Sequence, residues 1–316
     1  KPIPTNENAH RMHQKSDTCT KQQFQPFKDQ AKKNWINKIN VAEWEEDVTP
    51  QFTSTTTHTS QVAAEFGKYY KMLYGPKKID RGCSKLLLRA FKKNKILDSS
   101  ANWMSRDITH KEVAEVMENL PIGKQAGPNR IPNAVFKYMS KHFAPKLAKV
   151  LNESTEKGNL PQHFLQGDIS VMYKGKETSR EDPRHYRPIT LLNTDYKIFT
   201  RILAKRMRDV VHEFTSESQK GFVPHTFISE ASTLLTLIEA YINEEPLDRK
   251  GILLFLDMEK AFDRVSYKFT IEGLKAIGFK GKFMKWIQMM YNEDKGTQRR
   301  IYVNGFYSDW FSIKSG

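Results

Sequence analysis

Residues 251–265 read GILLFLDMEKAFDRV, and this stretch decides which fold the sequence predicts. Residues 252–256 form an unbroken apolar run of strand length, which is typical of a strand buried on both faces. The run ends on Asp257. A carboxylate at the tip of a buried strand can reach solvent, where it either binds a hard cation such as Mg²⁺ or caps the following turn. The residues alone leave both alternatives open.

The composition favours a nucleic-acid partner. The chain has 316 residues, a formal charge of +15 and an isoelectric point near 9.5. Such a surplus of positive charge attracts polyanions, chiefly nucleic acids. An anionic membrane surface is the lesser alternative, because no helix is both basic and strongly apolar and no apolar run approaches membrane-spanning length. The cysteines, Cys19 and Cys83, lack a metal-ligand spacing, which predicts a reducing intracellular location.

Further motifs surround the opening stretch. In chain order they are KQAGPNRIP (124–132), GNLP (158–161), YRPITLLNTDYK (186–197), QKGFVP (219–224) and DMEKAFD (257–263), with a fainter FGKYYKMLY at 66–74. Taken together and in this order, they resemble the motifs of reverse transcriptases from non-LTR (LINE-type) retrotransposons. The likeness covers residues 61–316. An intron-encoded maturase is a weaker alternative, because the residues of the KAFD and LLNTDYK motifs are more similar to those of LINE-type reverse transcriptases.

The resemblance implies an α+β chain with the right-hand polymerase fold, made of fingers and a partial palm after a mostly helical connecting region. The expected units are a basic connecting segment (1–60), a helical extension (61–160), and fingers with an incomplete palm (161–316). The implied activity is RNA-directed DNA polymerisation with an RNA template, a DNA primer and deoxynucleoside triphosphates. The expected place of action is the nucleus, without a membrane, and the oligomeric state stays open.

The resemblance also assigns site residues. Asp257 is the implied catalytic residue and metal ligand, together with the main-chain carbonyl of Met258. Two Mg²⁺ ions would lower the pKa of the primer 3′-hydroxyl and stabilise the leaving pyrophosphate. Lys174 and Arg187 are expected to bind the triphosphate, with Arg187 bidentate and Lys174 acting as a point charge. Phe262 is expected either to exclude ribonucleotides sterically or to pack in the core.

A cationic helix is predicted over residues 195–214. One of its faces is apolar, and the opposite face carries four cations for which the sequence indicates no acidic partner. This pattern favours a track for backbone phosphates over an ordinary solvated face. The four nucleic-acid-binding candidates are Lys197, Arg201, Lys205 and Arg208.

Shorter signals predict the remaining elements. Residues 24–39 show a helical repeat, residues 53–60 read as a hydroxyl-rich linker, and Thr109 with Glu112 forms a capping box. Residues 169–173 and 189–192 are predicted strands of one hairpin. Helices are expected between Ser266 and Gly278 and over 282–291, and a type I′ turn at Asn304-Gly305.

The sequence also departs from the family pattern. Asn129-Arg130 stands where the family usually has Asp-Gly, and His225-Thr226 stands where it often has Gly-Arg. Tyr173 replaces the usual proline before Lys174. The sequence contains no Asp-Asp pair, so the A-D-D strand of the family is not in it. We therefore expect a fragment that is inactive by itself. The alternative is a non-enzymatic nucleic-acid-binding remnant.

Overall fold

The structure is a computed structural model that describes residues 35–175, 179–244, 252–292 and 296–316. These residues form a mixed α and β fold. The strands are β1 (Ile39–Ala42), β2 (Phe52–Thr56), β3 (Gln166–Tyr173), β4 (Tyr186–Leu192), β5 (Gln298–Val303), β6 (Phe306–Tyr307) and β7 (Phe311–Ser312). The helices are α1 (Thr59–Leu73), α2 (Arg81–Phe91), α3 (Asp98–Met104), α4 (His110–Glu118), α5 (Asn133–Tyr138), α6 (Ser140–Lys157), α7 (Thr194–Val210), α8 (Ile228–Glu244), α9 (Tyr267–Ile277) and α10 (Gly281–Met290).

The central sheet has the order β4-β3-β5-β6, with β7 paired to the other end of β5. Strands β3 and β4 form the predicted antiparallel hairpin, in which Met172 lies opposite Arg187. Strand β5 is parallel to β3, and it pairs Ile169 with Ile301. These two isoleucines are fully buried, whereas Tyr302 and Met172 on the opposite face are exposed. The sheet therefore has one face in the core and one face in solvent.

Two hydrophobic clusters form the core. Helix α1 covers the inner face of the sheet, and Phe66, Tyr69 and Tyr70 of this helix are fully or almost fully buried. The second cluster consists of helices, in which α4 packs against α6 and α7. Trp286 of α10 lies at its centre with no exposed surface. Its indole N–H donates a hydrogen bond to the hydroxyl of Thr155.

The local capping and turn signals are confirmed. Thr109 accepts a hydrogen bond from the Glu112 N–H at 3.2 Å, and the Glu112 carboxylate accepts one from the Thr109 N–H at 2.9 Å. Ser266 caps α9 by accepting from the Phe269 N–H at 3.1 Å. Asn304 and Gly305 have φ values of 53° and 87°, as a type I′ hairpin between β5 and β6 requires.

Three predictions of secondary structure are wrong. Residues 1–34 lie outside the described part of the chain, but Ile39, the last member of the proposed helical repeat, belongs to strand β1. Residues 53–56 of the proposed linker lie in β2, which pairs with β1. A run of threonines suits such a strand, because β-branched side chains fit a pleated surface. The third error concerns residues 252–256.

Residues 252–256 are exposed and have no regular secondary structure. Ile252 is 95% exposed and Leu256 is 83% exposed, so the predicted buried strand is absent. None of the described strands pairs with this segment. A strand can be buried only when its backbone N–H and C=O groups have partners, and without them the peptide stays in solvent. The apolar helix α8 likewise has no buried residue.

Among the helices in the described ranges, none has both the length and the apolar character that crossing a bilayer requires.

Candidate nucleotide and nucleic-acid site

Two of the sequence motifs, KQAGPNRIP and YRPITLLNTDYK, meet at Asn193, which is fully buried at the start of α7. Its side-chain oxygen accepts a hydrogen bond from the Asn129 N–H at 3.0 Å, and its amide donates to the His163 carbonyl at 2.6 Å. Gly127 lies so close that a Cβ added there would stand 2.4 Å from the Asn193 nitrogen. The spacing of the motifs along the chain thus reflects one junction that fixes the base of the hairpin.

Lys174 and Arg187 lie at the same end of the β3–β4 hairpin. Arg187 is opposite Met172, and the Lys174 N–H continues the ladder by donating to the His185 carbonyl at 3.0 Å. Because side chains alternate along a strand, Met172 and Lys174 project from the same face as Arg187. The structure therefore brings these two cations together on the solvent face of the sheet, with Arg187 exposed and Lys174 half-buried.

Asp257, Met258 and Phe262 lie on an exposed segment that ends in a series of turns. Phe262 is 79% exposed, so the alternative that it packs in the core is wrong. Glu259 and Lys260, which the sequence predicts to pair on the surface, form an ion pair with a nitrogen–oxygen distance of 3.3 Å. The exclusion of ribonucleotides by Phe262 stays a prediction.

The sequence indicates that Asp263 is a helix-start residue, but the structure gives Asp263 another role. Ser266, three residues later, caps the following helix, so Asp263 is not the cap. The Asp263 carboxylate instead accepts a hydrogen bond from the Tyr74 hydroxyl at 3.0 Å. The helix start therefore needs no carboxylate, and the side chain is available for a tertiary contact with α1.

A metal site is incomplete in the described residues. Within those ranges, no group of three or more Asp, Glu, His or Cys side chains is placed to hold a metal ion. Asp257 supplies one exposed carboxylate, and Met258 can add a main-chain carbonyl. Magnesium takes six ligands in nearly ideal octahedral geometry, and a two-ion site needs bridging carboxylates. The residues described here therefore do not by themselves fit a two-magnesium centre.

Helix α1 connects residues 257–263, here called the carboxylate segment, to the β3–β4 hairpin. The sequence did not predict this role of α1. The Tyr69 hydroxyl accepts a hydrogen bond from the Lys260 ammonium at 2.6 Å. The Tyr70 hydroxyl donates to the carbonyl of Tyr186 at 3.3 Å, next to Arg187. Burial raises the pKa of Tyr69 and of Tyr70, so both hydroxyls stay protonated at neutral pH. The only sequence signal for this role of α1 was the number of aromatic residues in FGKYYKMLY.

The cationic face of α7 is only partly as predicted. Arg201 and Arg208 are exposed, whereas Lys197 is half-buried, and burial lowers its pKa. Lys205 forms an ion pair with Glu115 of α4 at 2.6 Å, so the prediction that no cation on this face has an acidic partner is wrong. This partner lies 90 positions earlier in the chain, where helix-face reasoning does not reach.

The unpredicted cation of this helix is Arg206, which is buried. It donates hydrogen bonds to both oxygens of Glu112 and to the carbonyls of Met104 and Arg106. Its guanidinium also stands 5.3 Å from the centre of the Trp286 ring. Arg206 therefore stabilises the packing of α7 on α4 and is not available to a phosphate.

A cavity of about 520 Å³ lies elsewhere, between the core face of the sheet and helices α7 and α10. Of the carboxylate segment, only Asp263 lines it, beside Tyr74 and Arg299. Arg299 is buried and donates to the Leu165 carbonyl at 2.9 Å, and burial lowers the pKa of its guanidinium. The predicted nucleotide-binding residues are therefore on an open surface and not in this cavity.

Comparison with known proteins agrees with these motifs. Residues 174–307 match the reverse transcriptase (RNA-dependent DNA polymerase) family. The chain is 28% identical over 184 residues to the Xenopus laevis transposon TX1 uncharacterized 149 kDa protein. This match covers 58% of this chain and 14% of that protein. It is 32% identical over 158 residues to a probable RNA-directed DNA polymerase from the Drosophila melanogaster transposon X-element. This match covers 49% of this chain and 17% of that protein.

The matched residues contain Lys174, Arg187 and Asp257. A further relative, the probable RNA-directed DNA polymerase from transposon BS of Drosophila melanogaster, is 28% identical over 177 residues. Over the matched region the chain is similar to the reverse transcriptases of non-LTR (LINE-type) retrotransposons. It spans between 14% and 19% of the length of these three relatives.

Proposed function

We propose that this chain is part of an RNA-directed DNA polymerase that copies an RNA template onto a DNA primer. The observation that carries the proposal is the position of Lys174 and Arg187 on one face of the β3–β4 hairpin. Helix α1 contacts both this hairpin and the segment that follows Asp257. We assign the β3–β4 hairpin to the fingers and residues 252–292 to the start of the palm. The proposed units are a connecting segment (1–60), a helical extension (61–160) that contains most of α1, and fingers with an incomplete palm (161–316). The nucleus is the proposed place of action.

The nucleotide contacts follow from charge and geometry. Arg187 is exposed and its planar guanidinium can bind two phosphate oxygens at once, while the ammonium of Lys174 acts as a point charge. Phe262 is also exposed, which leaves its ring free to contact a nucleotide sugar. A ring beneath the sugar would leave no room for a 2′-hydroxyl. In this proposal the sheet face binds the triphosphate and Phe262 selects deoxynucleotides.

Asp257 and the Met258 carbonyl are the proposed ligands that this chain contributes toward Mg²⁺. Magnesium bound there would supply the charge stabilisation that phosphoryl transfer requires. Within the described ranges, no third Asp, Glu, His or Cys side chain completes this set of ligands. The inactivity of this chain by itself stays a prediction.

The proposed template track on α7 consists of Lys197, Arg201 and Arg208. Lys205 makes the weakest contribution, because its ammonium already pairs with Glu115. A surplus of 15 positive charges supports binding that depends on salt and little on sequence.

A second candidate function is nucleic-acid binding without catalysis. It is favoured by one observation, namely that the described residues contain no group of three metal-ligating side chains. In that case the basic surfaces would bind RNA, and Asp257 would have no chemical role.

The experiment that separates these functions joins this chain to a downstream palm segment with the A-D-D strand and measures primer extension on an RNA template. Asp257→Asn should abolish extension and leave RNA binding unchanged, because the amide keeps the shape and loses the charge. The matched control is Asp263→Asn, whose amide oxygen can still accept the hydrogen bond from Tyr74. Near-normal extension by Asp257→Asn, or a larger loss with Asp263→Asn, would contradict the proposal.

A further inference from the structure

We infer that Tyr69 and Tyr74 are positioning residues, which hold the turn of residues 259–265 and thereby the sugar-selecting Phe262 against helix α1. This inference rests on the function proposed above, because it assigns to these tyrosines a part in choosing the nucleotide. Both residues belong to the FGKYYKMLY segment (66–74), to which the sequence assigned no role in the site. The inference starts from two hydrogen bonds that connect distant parts of the chain.

The two hydrogen bonds bracket Phe262. On its N-terminal side, the Lys260 ammonium donates to the Tyr69 hydroxyl at 2.6 Å and stands 5.3 Å from the centre of the same ring. On its C-terminal side, the Tyr74 hydroxyl donates to the Asp263 carboxylate at 3.0 Å. Phe262 itself is exposed and has no core contact to fix it. Its position therefore depends on the residues that flank it.

The tyrosines are rigid supports, because Tyr69 is only 2% exposed and Tyr74 only 6% exposed. Burial raises the pKa of the Tyr74 hydroxyl, and the nearby Asp263 carboxylate raises it further, so Tyr74 remains a donor at neutral pH. Both side chains belong to the cluster between α1 and the sheet. A turn attached to them is consequently attached to the core.

Apart from the Gly316 N–H, which donates to the Val265 carbonyl at 3.1 Å and holds the C-terminal end of the turn, the described residues give this orientation little other support. Lys260 has a φ of 50°, a left-handed conformation that L-residues adopt only when surrounding contacts enforce it. Within the turn, the Arg264 N–H donates to the Lys260 carbonyl at 3.1 Å and the Val265 N–H to the Phe262 carbonyl at 3.4 Å. Arg264 also pairs with Asp47 at 2.5 Å, but both side chains are exposed, so this pair contributes little.

The same helix face sets the distance to the triphosphate residues. Tyr70, between the two positioning tyrosines in sequence, donates to the Tyr186 carbonyl, and Tyr186 precedes Arg187. A nucleotide would contact Arg187 through its phosphates and Phe262 through its sugar. Helix α1 would therefore determine the distance between these two contacts. Displacement of a contacting group by about 1 Å can lower the rate of a reaction by as much as about a hundredfold.

The test removes single hydroxyl or ammonium groups. Tyr74→Phe deletes the donor to Asp263, and Lys260→Met deletes the donor to Tyr69 while its side chain still packs on the ring. In the polymerase that contains the downstream palm segment, each change should lower the preference for deoxynucleotides over ribonucleotides by about three- to tenfold. The KM for the deoxynucleotide should rise, and kcat should change less.

The control is Thr155→Val, which removes a buried hydroxyl bonded to Trp286 of the helical cluster, whereas Tyr69 and Tyr74 belong to the cluster between α1 and the sheet. It loses a hydrogen bond and should lower stability, but it should leave nucleotide preference unchanged. A uniform loss of kcat with unchanged preference in Tyr74→Phe and Lys260→Met, or an equal loss of preference in Thr155→Val, would overturn the inference.

A second measurement uses this chain alone. Hydrogen exchange of the Arg264 and Val265 amides should become faster in Tyr74→Phe and in Lys260→Met, and it should not change in Thr155→Val. Unchanged exchange in the first two variants would refute the positioning role even if the polymerase is active. Loss of the proposed function would appear separately, as normal extension by Asp257→Asn.

Discussion

Arg130→Gly is expected to stabilise the chain, although it replaces a larger residue by the smallest one. Arg130 has a φ of 59°, within the loop whose family counterpart usually carries glycine at this position. A left-handed conformation costs an L-residue roughly 1–2 kcal/mol, because its Cβ approaches the following carbonyl. Glycine does not have this cost. It does make the unfolded chain more flexible, which offsets roughly 0.4–1 kcal/mol of the gain.

The net expectation is an increase of about 0.5–1 kcal/mol in the free energy of unfolding, or about 1–3 °C in Tm. The Arg130 side chain is exposed, and the hydrogen bond from its N–H to the Gly127 carbonyl, 2.9 Å long, survives the change. Little is therefore lost with the side chain. Urea unfolding followed by circular dichroism measures the difference as a shift in midpoint at constant slope.

Arg130→Ala is the matched control, because alanine also removes the charge but keeps the Cβ. It should change stability by less than about 0.5 kcal/mol. His225, with a φ of 60° at a position where the family often has glycine, should behave in the same way on substitution by glycine. If Arg130→Gly were no more stable than Arg130→Ala, backbone strain would not explain the departure from the family pattern.

Two further predictions concern the motif junction and the basic helix. Gly127→Ala should destabilise the chain by at least about 2 kcal/mol in urea unfolding, because the added Cβ would stand 2.4 Å from backbone atoms of Leu192 and Asn193; an unchanged midpoint would mean that the loop can move away. Replacing Lys197, Arg201 and Arg208 by Gln should lower the slope of log affinity for RNA against log salt by up to about two to three units. Lys205→Gln alone should change this slope little, because Lys205 pairs with Glu115. An equal effect of all four cations would contradict that distinction.

Local features were predictable from the sequence because neighbouring residues determine them. The capping box of Thr109 and Glu112 joins atoms three positions apart, and the turn at Asn304-Gly305 needs only two residues that tolerate positive φ. The two short strand candidates at 169–173 and 189–192 likewise predicted the hairpin that places Lys174 and Arg187. The order of the motifs indicated the family resemblance, because motif order is a property of the linear sequence.

Long-range contacts could not be predicted in this way. The charges on α7 were assigned from the helix period, yet the partner that occupies Lys205 belongs to another helix. The burial of Arg206 was not predicted, because a charged side chain is expected to be exposed. Only the structure shows that Glu112 and three backbone carbonyls surround its guanidinium. The bond between Tyr74 and Asp263 joins residues 189 positions apart.

The sequence by itself determined the family resemblance, the sign of the charge and the positions of most turns, since these depend on residue identity and short-range geometry. Only the tertiary structure decided which polar groups meet and which apolar residues are covered. Residues 252–256 illustrate the limit, because an apolar run expresses a tendency to be buried but does not supply the strand that must pair with it. Burial is a property of two surfaces in contact, and one segment of sequence specifies only one of them.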